Sequence, residues 1–372
     1  LPQLHALIKS KKITSLELTK LYIKRLKQHN SSLFCVINLT EDLALKQAKR
    51  ADSLLKNGII LGPLHGIPYG LKDLISVEGY PTTWGAYPYK NQRINKTATI
   101  ARELERSGAV LVAKLVSGSL ARGDVWFGGM TRNPWDPKQG ASGSSAGSGS
   151  ATAAGLVGFS IGTETLGSIV SPSTRNGITG LRPTYGRVSR NGVMSLSWSM
   201  DKVGPMCRSA IGCAIVFESI YGKDPLDPTS VDASYFFNIK SKPENYKIGY
   251  LKDLIEKDTT DSGDNIRDVI KLLKQNGISL LPINLPKNYP FKVFDIILRS
   301  ESGAHFDELV RSGKVDNMVQ QNQKSRANSL RQSRFIPAVE YIQANRFRSK
   351  LIEEMHSIMK EIDVLILSLI HI

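Results

Sequence analysis

The sequence predicts an α/β fold, and three observations carry that prediction. A helical pattern over residues 94–107 leads straight into an apolar, strand-like run over 109–114, the succession from which α/β folds are built. Between Gln139 and Thr174 the only charged residue is Glu164, as expected of a segment buried at a domain centre. With 41% hydrophobic and 22% charged residues in 372, the composition is globular and excludes a disordered chain, a coiled coil and a disulfide-stapled miniprotein.

Taken in order, residues 2–57 read as helices. Thr14-Ser15-Leu16-Glu17 has capping-box spacing, and Leu18, Leu21, Tyr22 and Leu26 follow at helical intervals. A second helix over 43–56 stops at Asn57-Gly58. From residue 61 the texture changes: the stretch 62–73 starts as turns and ends as a short apolar run carrying Lys72. Residues 140–150 are rich in Gly and Ser. A flexible linker has that composition, but residues 151–155 continue as a small-residue helix and 156–161 as an apolar strand, so the buried centre is the better reading. Further on, 209–221 is an apolar helix, 246–251 a strand, 264–276 a helix, 278–283 a strand and 338–362 a long amphipathic helix. We expect one domain over 1–366, made of N-terminal helices (2–57), a core (61–222) and a C-terminal half (223–366).

The net charge is +16, from 49 Lys and Arg against 33 Asp and Glu. Such a surface attracts acidic partners at long range. The basic residues are scattered, however, and the short runs at Lys9, Lys11, Lys12 and at Lys24, Arg25, Lys27 read as solvated helix faces. Cys35, Cys207 and Cys213 form no even framework and no C-x-x-C pair, which points to a reducing, cytoplasmic setting. The six histidines stand alone without metal-ligand spacing, so neither a metal nor a cofactor is expected. No stretch approaches eighteen consecutive apolar residues, so no membrane-spanning helix is expected.

Three features carry chemistry together: Lys72 in its apolar run, the Ser144-Ser145 pair, and Ser168 at the end of Gly162-Thr163-Glu164-Thr165-Leu166-Gly167-Ser168. A serine hydroxyl is a weak nucleophile and needs a base within hydrogen-bond reach. No histidine sits in a nucleophile-like loop here. A lysine serves if burial strips its proton, and a second hydroxyl can relay the proton to it. The Gly- and Thr-containing turn before Ser168 can aim backbone N–H groups at one point, as an oxyanion hole requires. Each feature alone also has a plain reading: a surface ion pair for Lys72, turn residues for the serine pair, a helix cap for Ser168.

The combination resembles the amidase signature family. That family carries a G-x-P-x-x-x-K-D segment, a G-G-S-S-G-G-S loop and a D-x-G-G-S-I turn. This chain has Gly66-Ile67-Pro68-Tyr69-Gly70-Leu71-Lys72-Asp73, then Ser142-Gly143-Ser144-Ser145-Ala146-Gly147-Ser148, then Glu164-Thr165-Leu166-Gly167-Ser168-Ile169. Gly180-Leu181-Arg182-Pro183-Thr184-Tyr185-Gly186 and Ser199-Met200-Asp201-Lys202-Val203-Gly204-Pro205 follow in the family's order. The resemblance covers roughly residues 10–366 and is densest over 61–222.

It implies an α/β/α sandwich around a mixed central sheet and a Ser–cis-Ser–Lys triad. Ser168 matches the acylated nucleophile, Ser144 the bridging serine with a cis peptide before it, and Lys72 the base. The backbone of Thr165, Leu166, Gly167 and Ser168 matches the oxyanion hole. Asp124, Trp126, Phe127 and Met130 lie just before the active loop, with Asp124 and Met130 the substrate-binding candidates. The chain departs from the pattern at Leu166, where a glycine is usual and a narrower approach follows, and at Val170 and Asn176, where Arg and Cys are common. Glu164 replaces an Asp and lacks its usual local partner, for which Arg175 is the substitute considered. The function implied is hydrolysis of a small carboxylic amide. The alternatives are the glutamine-hydrolysing component of an aminoacyl-tRNA amidotransferase (its A subunit), in which case alone a nucleic-acid partner follows, and an inactive scaffold homologue. A homodimer is left open. Residue 1 is Leu rather than Met, and the family's pattern continues beyond residue 366, so truncation of a longer chain is expected. Residues 367–372 spell a translated sequencing adapter and are expected to be non-native.

Overall fold

The computed structural model describes residues 1–286 and 290–367. The adapter-like tail, apart from Leu367, lies outside the described residues. The chain forms two compact units, one of residues 1–236 and 301–334, the other of 237–300 and 335–372.

The larger unit is built on a six-stranded mixed sheet. Its strands are β1 (Val36–Leu39), β2 (Pro68–Lys72), β3 (Val110–Leu115), β6 (Phe159–Glu164), β7 (Thr179–Gly180) and β8 (Lys202–Cys207), in the order β1-β3-β2-β6-β8-β7. The central β3-β2-β6 pairings are parallel, and β1, β8 and β7 pair antiparallel to their neighbours. Strands β2, β3 and β6 are buried throughout, as expected of strands covered on both faces. A small hairpin of β4 (Val125–Trp126) and β5 (Gly129–Met130) stands apart from this sheet.

Helices clothe both faces. Alternation along β3 sends Leu111 into one apolar cluster and Val110 and Val112 into another. The first cluster takes Ile8 of α1 (Pro2–Lys9), Ile100 and Leu104 of α4 (Thr99–Arg106), and Val216 and Phe217 of α7 (Ala210–Glu218). The second takes Ile23 and Leu26 of α2 (Ser15–Leu33), Ala44 and Ala48 of α3 (Glu41–Lys56), and Ala151 of α5 (Ala146–Ala153). The α/β/α reading is borne out. So is the capping box: the Thr14 hydroxyl accepts from the Glu17 N–H, and the Glu17 carboxylate from the Thr14 N–H.

The stretch 2–57 is not all helix, since residues 36–39 form β1, and the strand read over 156–161 lies at Phe159–Glu164; two further boundaries differ for physical reasons. The helix read over 94–107 begins only at Thr99, because Ala98 N–H donates to the Ser76 carbonyl and Thr99 N–H to the Asn191 carbonyl, tying the backbone to neighbouring segments. The helix read from residue 151 already starts at Ala146, inside the Gly/Ser-rich stretch. Gly147 permits that: a Cβ there would lie 2.3 Å from the Cys35 carbonyl oxygen and from Val116 N, so only glycine lets α5 approach this close.

The smaller unit carries a parallel three-stranded sheet in the order β10-β9-β11, from β9 (Ile248–Tyr250), β10 (Leu280–Pro282) and β11 (Val364–Ile366). Helix Asp261–Gln275 turns Ile270 inward toward Tyr250 and Ile255. Among the described residues no helix is long and apolar enough to cross a membrane.

Candidate active site

Lys72 ends β2, and its side chain is fully buried. Its Nζ lies 2.8 Å from Ser144 Oγ, 2.9 Å from Ser145 Oγ, 2.9 Å from Thr163 Oγ1 and 3.3 Å from the Thr163 carbonyl oxygen. Every partner is neutral. Burial without a carboxylate partner disfavours the ammonium, and the Lys72 pKa falls to about 7 against the weaker, opposing pull of Asp201 and Glu164. Asp73, the next residue, does not relieve it. Its carboxylate binds Lys114 Nζ at 2.6 Å and the Thr83 N–H and hydroxyl.

The two serines are not equivalent. Ser145 Oγ donates to the Thr163 carbonyl at 3.1 Å and accepts from the Thr163 N–H at 3.2 Å. Its proton is therefore committed to the backbone of β6. Ser144 Oγ meets Lys72 alone among the described residues, so its proton is free to move. The Gly143–Ser144 peptide is cis.

Ser168 follows β6 at the end of a tight turn and is half-buried. Ser145 N–H donates to its carbonyl oxygen at 3.2 Å, which sets it against the serine pair. Among the described residues its hydroxyl makes no hydrogen bond. Gly167 takes φ +85°, a conformation L side chains avoid, and this reverses the chain before the nucleophile candidate. The Leu166 side chain is 48% exposed. The N–H groups of Leu166, Gly167 and Ser168 donate to no group among the described residues, so three adjacent donors stand free beside Ser168.

The turn is held from both ends. Glu164, buried to 2% exposure, accepts from the N–H groups of Ile169 (2.7 Å) and Val170 (2.9 Å). Its cationic neighbour is Arg182, 3.7 Å away, not the Arg175 considered from sequence. Arg175 binds Gln139 at 2.7 Å, because it projects from the far end of α6 (Val170–Asn176). Thr165 Oγ1 donates to Asp201 Oδ1 at 2.5 Å, and Lys202 Nζ donates to the Thr165 carbonyl at 3.1 Å.

Asp124 and Met130 are brought together in an open hollow that Lys72 does not line. They line it with Gly123, Gln139, Ser142, Gly143 and Arg175. Asp124 Oδ2 accepts the Ser142 N–H at 3.0 Å, so it also braces the loop carrying the cis peptide. Trp126 is buried, packed edge-on against Phe127. A second cavity of about 120 Å³ lies along Thr163, Thr165, Asp201 and Lys202.

Sequence reasoning missed Thr163, Asp201 and Lys202 as parts of this cluster. The signal for Thr163 was available. Thr163 in β6 and Thr165 just past its end are two residues apart, the spacing that puts side chains on one side of an extended chain, and both hydroxyls prove to be engaged at the site. Asp201 and Lys202 reach the turn only through the antiparallel pairing of β8 with β6, which no local pattern announces.

Chemically, the cluster offers a hydroxyl beside three free N–H donors, a second hydroxyl, and a buried amine poised to lose its proton. Such a set suits attack on a carbonyl carbon.

The comparisons agree with this chemistry. The family model described as Amidase matches residues 17–370. The A subunit of the glutamyl-tRNA(Gln) amidotransferase of Geobacter sp. (strain M21) is 32% identical, over 98% of this chain and 80% of that protein. Its namesake from Thermoanaerobacter pseudethanolicus is 33% identical over 82% of this chain, and the match spans only 64% of that protein's length. Among solved structures, the peptide amidase from Stenotrophomonas maltophilia superposes with a TM-score of 0.80 at 29% identity, covering 92% of this chain and 77% of that one. A match over residues 17–370, nearly the whole chain, places it in the Amidase family.

Proposed function

We propose that this protein hydrolyses a carboxylic amide by acyl transfer through Ser168, with Ser144 as proton relay and Lys72 as base. The observation that carries the proposal is Lys72 itself: a fully buried amine, bound only to neutral groups, with its pKa near 7. A lysine kept for structure alone would be paired with a carboxylate, as Lys114 is.

In this reading Ser168 Oγ attacks the amide carbon. Its proton passes to Ser144 Oγ while the Ser144 proton passes to Lys72 Nζ. The carbonyl oxygen becomes negative and takes hydrogen bonds from the free backbone N–H groups of the 165–168 turn. Collapse breaks the C–N bond, and the leaving nitrogen takes a proton back through Ser144. Water, activated by the same relay, then attacks the Ser168 ester and releases the acid. Asp124 and Met130 are assigned to the substrate side. The free, buried state of all three cysteines supports a cytoplasmic location.

A second reading has a specific observation behind it. The curated relatives are named as amidotransferase A subunits, and the charge of +16 suits work beside an RNA. In that case the ammonia from glutamine passes to an aminoacyl-tRNA held by partner proteins.

Fluorophosphonate labelling with peptide mapping tests the proposal. We expect one adduct, on Ser168, absent in Ser168→Ala and slowed by about 10²-fold or more in Lys72→Ala. No adduct on a folded protein overturns it in favour of a non-catalytic scaffold. An amide panel that includes glutamine, with and without candidate partner proteins, then separates the two enzymatic readings.

A further inference from the structure

Two consecutive residues, Asp201 and Lys202, grip one residue of the turn at both of its polar ends. Asp201 Oδ1 accepts the Thr165 hydroxyl at 2.5 Å, while its Oδ2 accepts the N–H groups of Leu196 (2.7 Å) and Ser197 (2.9 Å). Lys202, paired with Glu164 across the ladder, donates from Nζ to the Thr165 carbonyl oxygen at 3.1 Å. The other end of the same peptide unit is the Leu166 N–H, one of the three free donors. A trans peptide is planar, with C=O and N–H pointing in opposite directions. The Gly143–Ser144 bond is the one cis peptide among the described residues, so the Thr165–Leu166 bond is trans. Fixing the carbonyl therefore fixes the direction of the N–H.

Resting on the acyl-transfer reading above, we propose that Lys202 is a positioning residue of the oxyanion site. By holding the Thr165 carbonyl, its ammonium sets the Thr165–Leu166 peptide plane and aims the Leu166 N–H at the oxygen that becomes negative. A cation on the carbonyl also draws electron density along the amide, which makes the N–H a stronger donor. Lys202 acts through the backbone and touches no reacting atom.

The surroundings allow Lys202 to titrate. It borders the cavity of about 120 Å³, along with Arg190, Trp198 and Asp201, a space bordered by charged side chains and large enough to admit water. The charged groups that act on its Nζ are Arg182, Glu164, Asp201 and Arg190. Burial comes first and Arg182 second in lowering its pKa to about 8, with Glu164 and Asp201 opposing and Arg190 adding to the fall. The reaction thus needs Lys72 neutral and Lys202 charged. Capture of an electrophile by Ser168 should rise with pH through about 7 and fall again through about 8.

The test measures fluorophosphonate capture from pH 5.5 to 10.5, resolved into a maximal rate and a half-saturating probe concentration. The probe's phosphoryl oxygen occupies the same hole as a substrate oxyanion. Wild type, Lys202→Met, Lys202→Arg and Ser168→Ala are compared, each with its folded fraction measured by circular dichroism. In Lys202→Met we expect the maximal rate to fall by about 10–10²-fold, below the full loss of an oxyanion donor. Half-saturation should stay within about threefold, as for an interaction made only in the transition state. The alkaline limb should disappear. Lys202→Arg should regain most of the rate and remain active at pH 10, because a guanidinium keeps its charge there. A Lys202→Met protein with wild-type rate and limb overturns the proposal, as does one in which only half-saturation changes. Should Lys202→Met not fold, an alkaline limb unmoved in Lys202→Arg overturns it instead. Ser168→Ala separates the two levels: capture that persists there sinks the acyl-transfer reading, whereas capture lost there but unaffected in Lys202→Met sinks only the role of Lys202.

Discussion

Two lysines lie side by side in the same sheet, and both are fully buried. Lys114 on β3 is register partner to Leu71 of β2, so it shares a face with Leu71 and Asp73, while Lys72 turns to the other face. On its face Lys114 meets a carboxylate at 2.6 Å, the Thr82 hydroxyl and the Pro81 carbonyl, a closed and fully partnered ion pair. On its own face Lys72 meets three hydroxyls and a carbonyl. The difference lies in what the burial is matched with. A carboxylate keeps the proton on the amine, and hydroxyls alone let it go. One register position across the β2–β3 pair separates a structural lysine from one able to act as a base.

The sharpest way to break this comparison is to remove each amine in turn. Lys114→Met leaves Asp73 buried and unpaired and should cost about 3–5 kcal/mol of stability, with the activity of the folded fraction retained. Lys72→Met should do the reverse. Activity should fall by about 10²–10⁴-fold, the worth of a positioned base. The fold should gain on the order of 1–2 kcal/mol, since an amine that folding forces toward its neutral form is a standing penalty. Urea unfolding with parallel amide-hydrolysis assays reads both. Equal destabilisation by the two variants would erase the distinction drawn here.

The next effect is smaller and separates the two lysines by pH. With Lys72 titrating near 7, kcat/KM should fall about tenfold per pH unit below 7 as the base takes up its proton. The stability sign follows from the same shift. Between pH 7 and 10.5 the unfolded chain holds the Lys72 proton and the folded chain does not, so this residue's contribution to stability rises with pH by about 1.4 kcal/mol per unit. In Lys72→Met that increment should vanish. Denaturation curves at pH 7.5 and 8.5 for the two proteins measure it, and an unchanged increment would remove Lys72 as its source.

How far the sequence reached follows the same division. Lys72, Ser144 and Ser168 stand out because they sit in ordered local motifs, and β3 and part of β6 because they are apolar runs bounded by turns, whereas β1, β7 and β8 are not read as strands from the sequence. What stayed hidden depends on pairing across distance. Whether Asp73 would serve Lys72 or Lys114 is decided by β2–β3 register. That Arg182 rather than Arg175 stands by Glu164 depends on where α6 ends. Residues 301–334 join the larger unit while 237–300 and 335–372 form the smaller one, an interleaving with no compositional boundary to announce it.

The finest probe of the comparison is Thr163, the partner of Lys72 that sequence reasoning overlooked. Its hydroxyl lies 2.9 Å from Nζ and its carbonyl 3.3 Å. Thr163→Val keeps the β-branched shape and the carbonyl and deletes one oxygen able to accept from the ammonium. An acceptor for the charged form holds the pKa up, so its removal should let Lys72 lose its proton more easily. The acid limb of kcat/KM should then move to lower pH, by up to about one unit, the worth of one hydrogen bond to a charged group. A weaker base abstracts a proton less well, so the plateau rate should fall by about three- to tenfold. The two changes must appear together. A slower plateau with an unmoved limb would mean that Thr163 only packs, and a limb moved to higher pH would contradict the view that the hydroxyl cage, with burial, sets the proton affinity of Lys72.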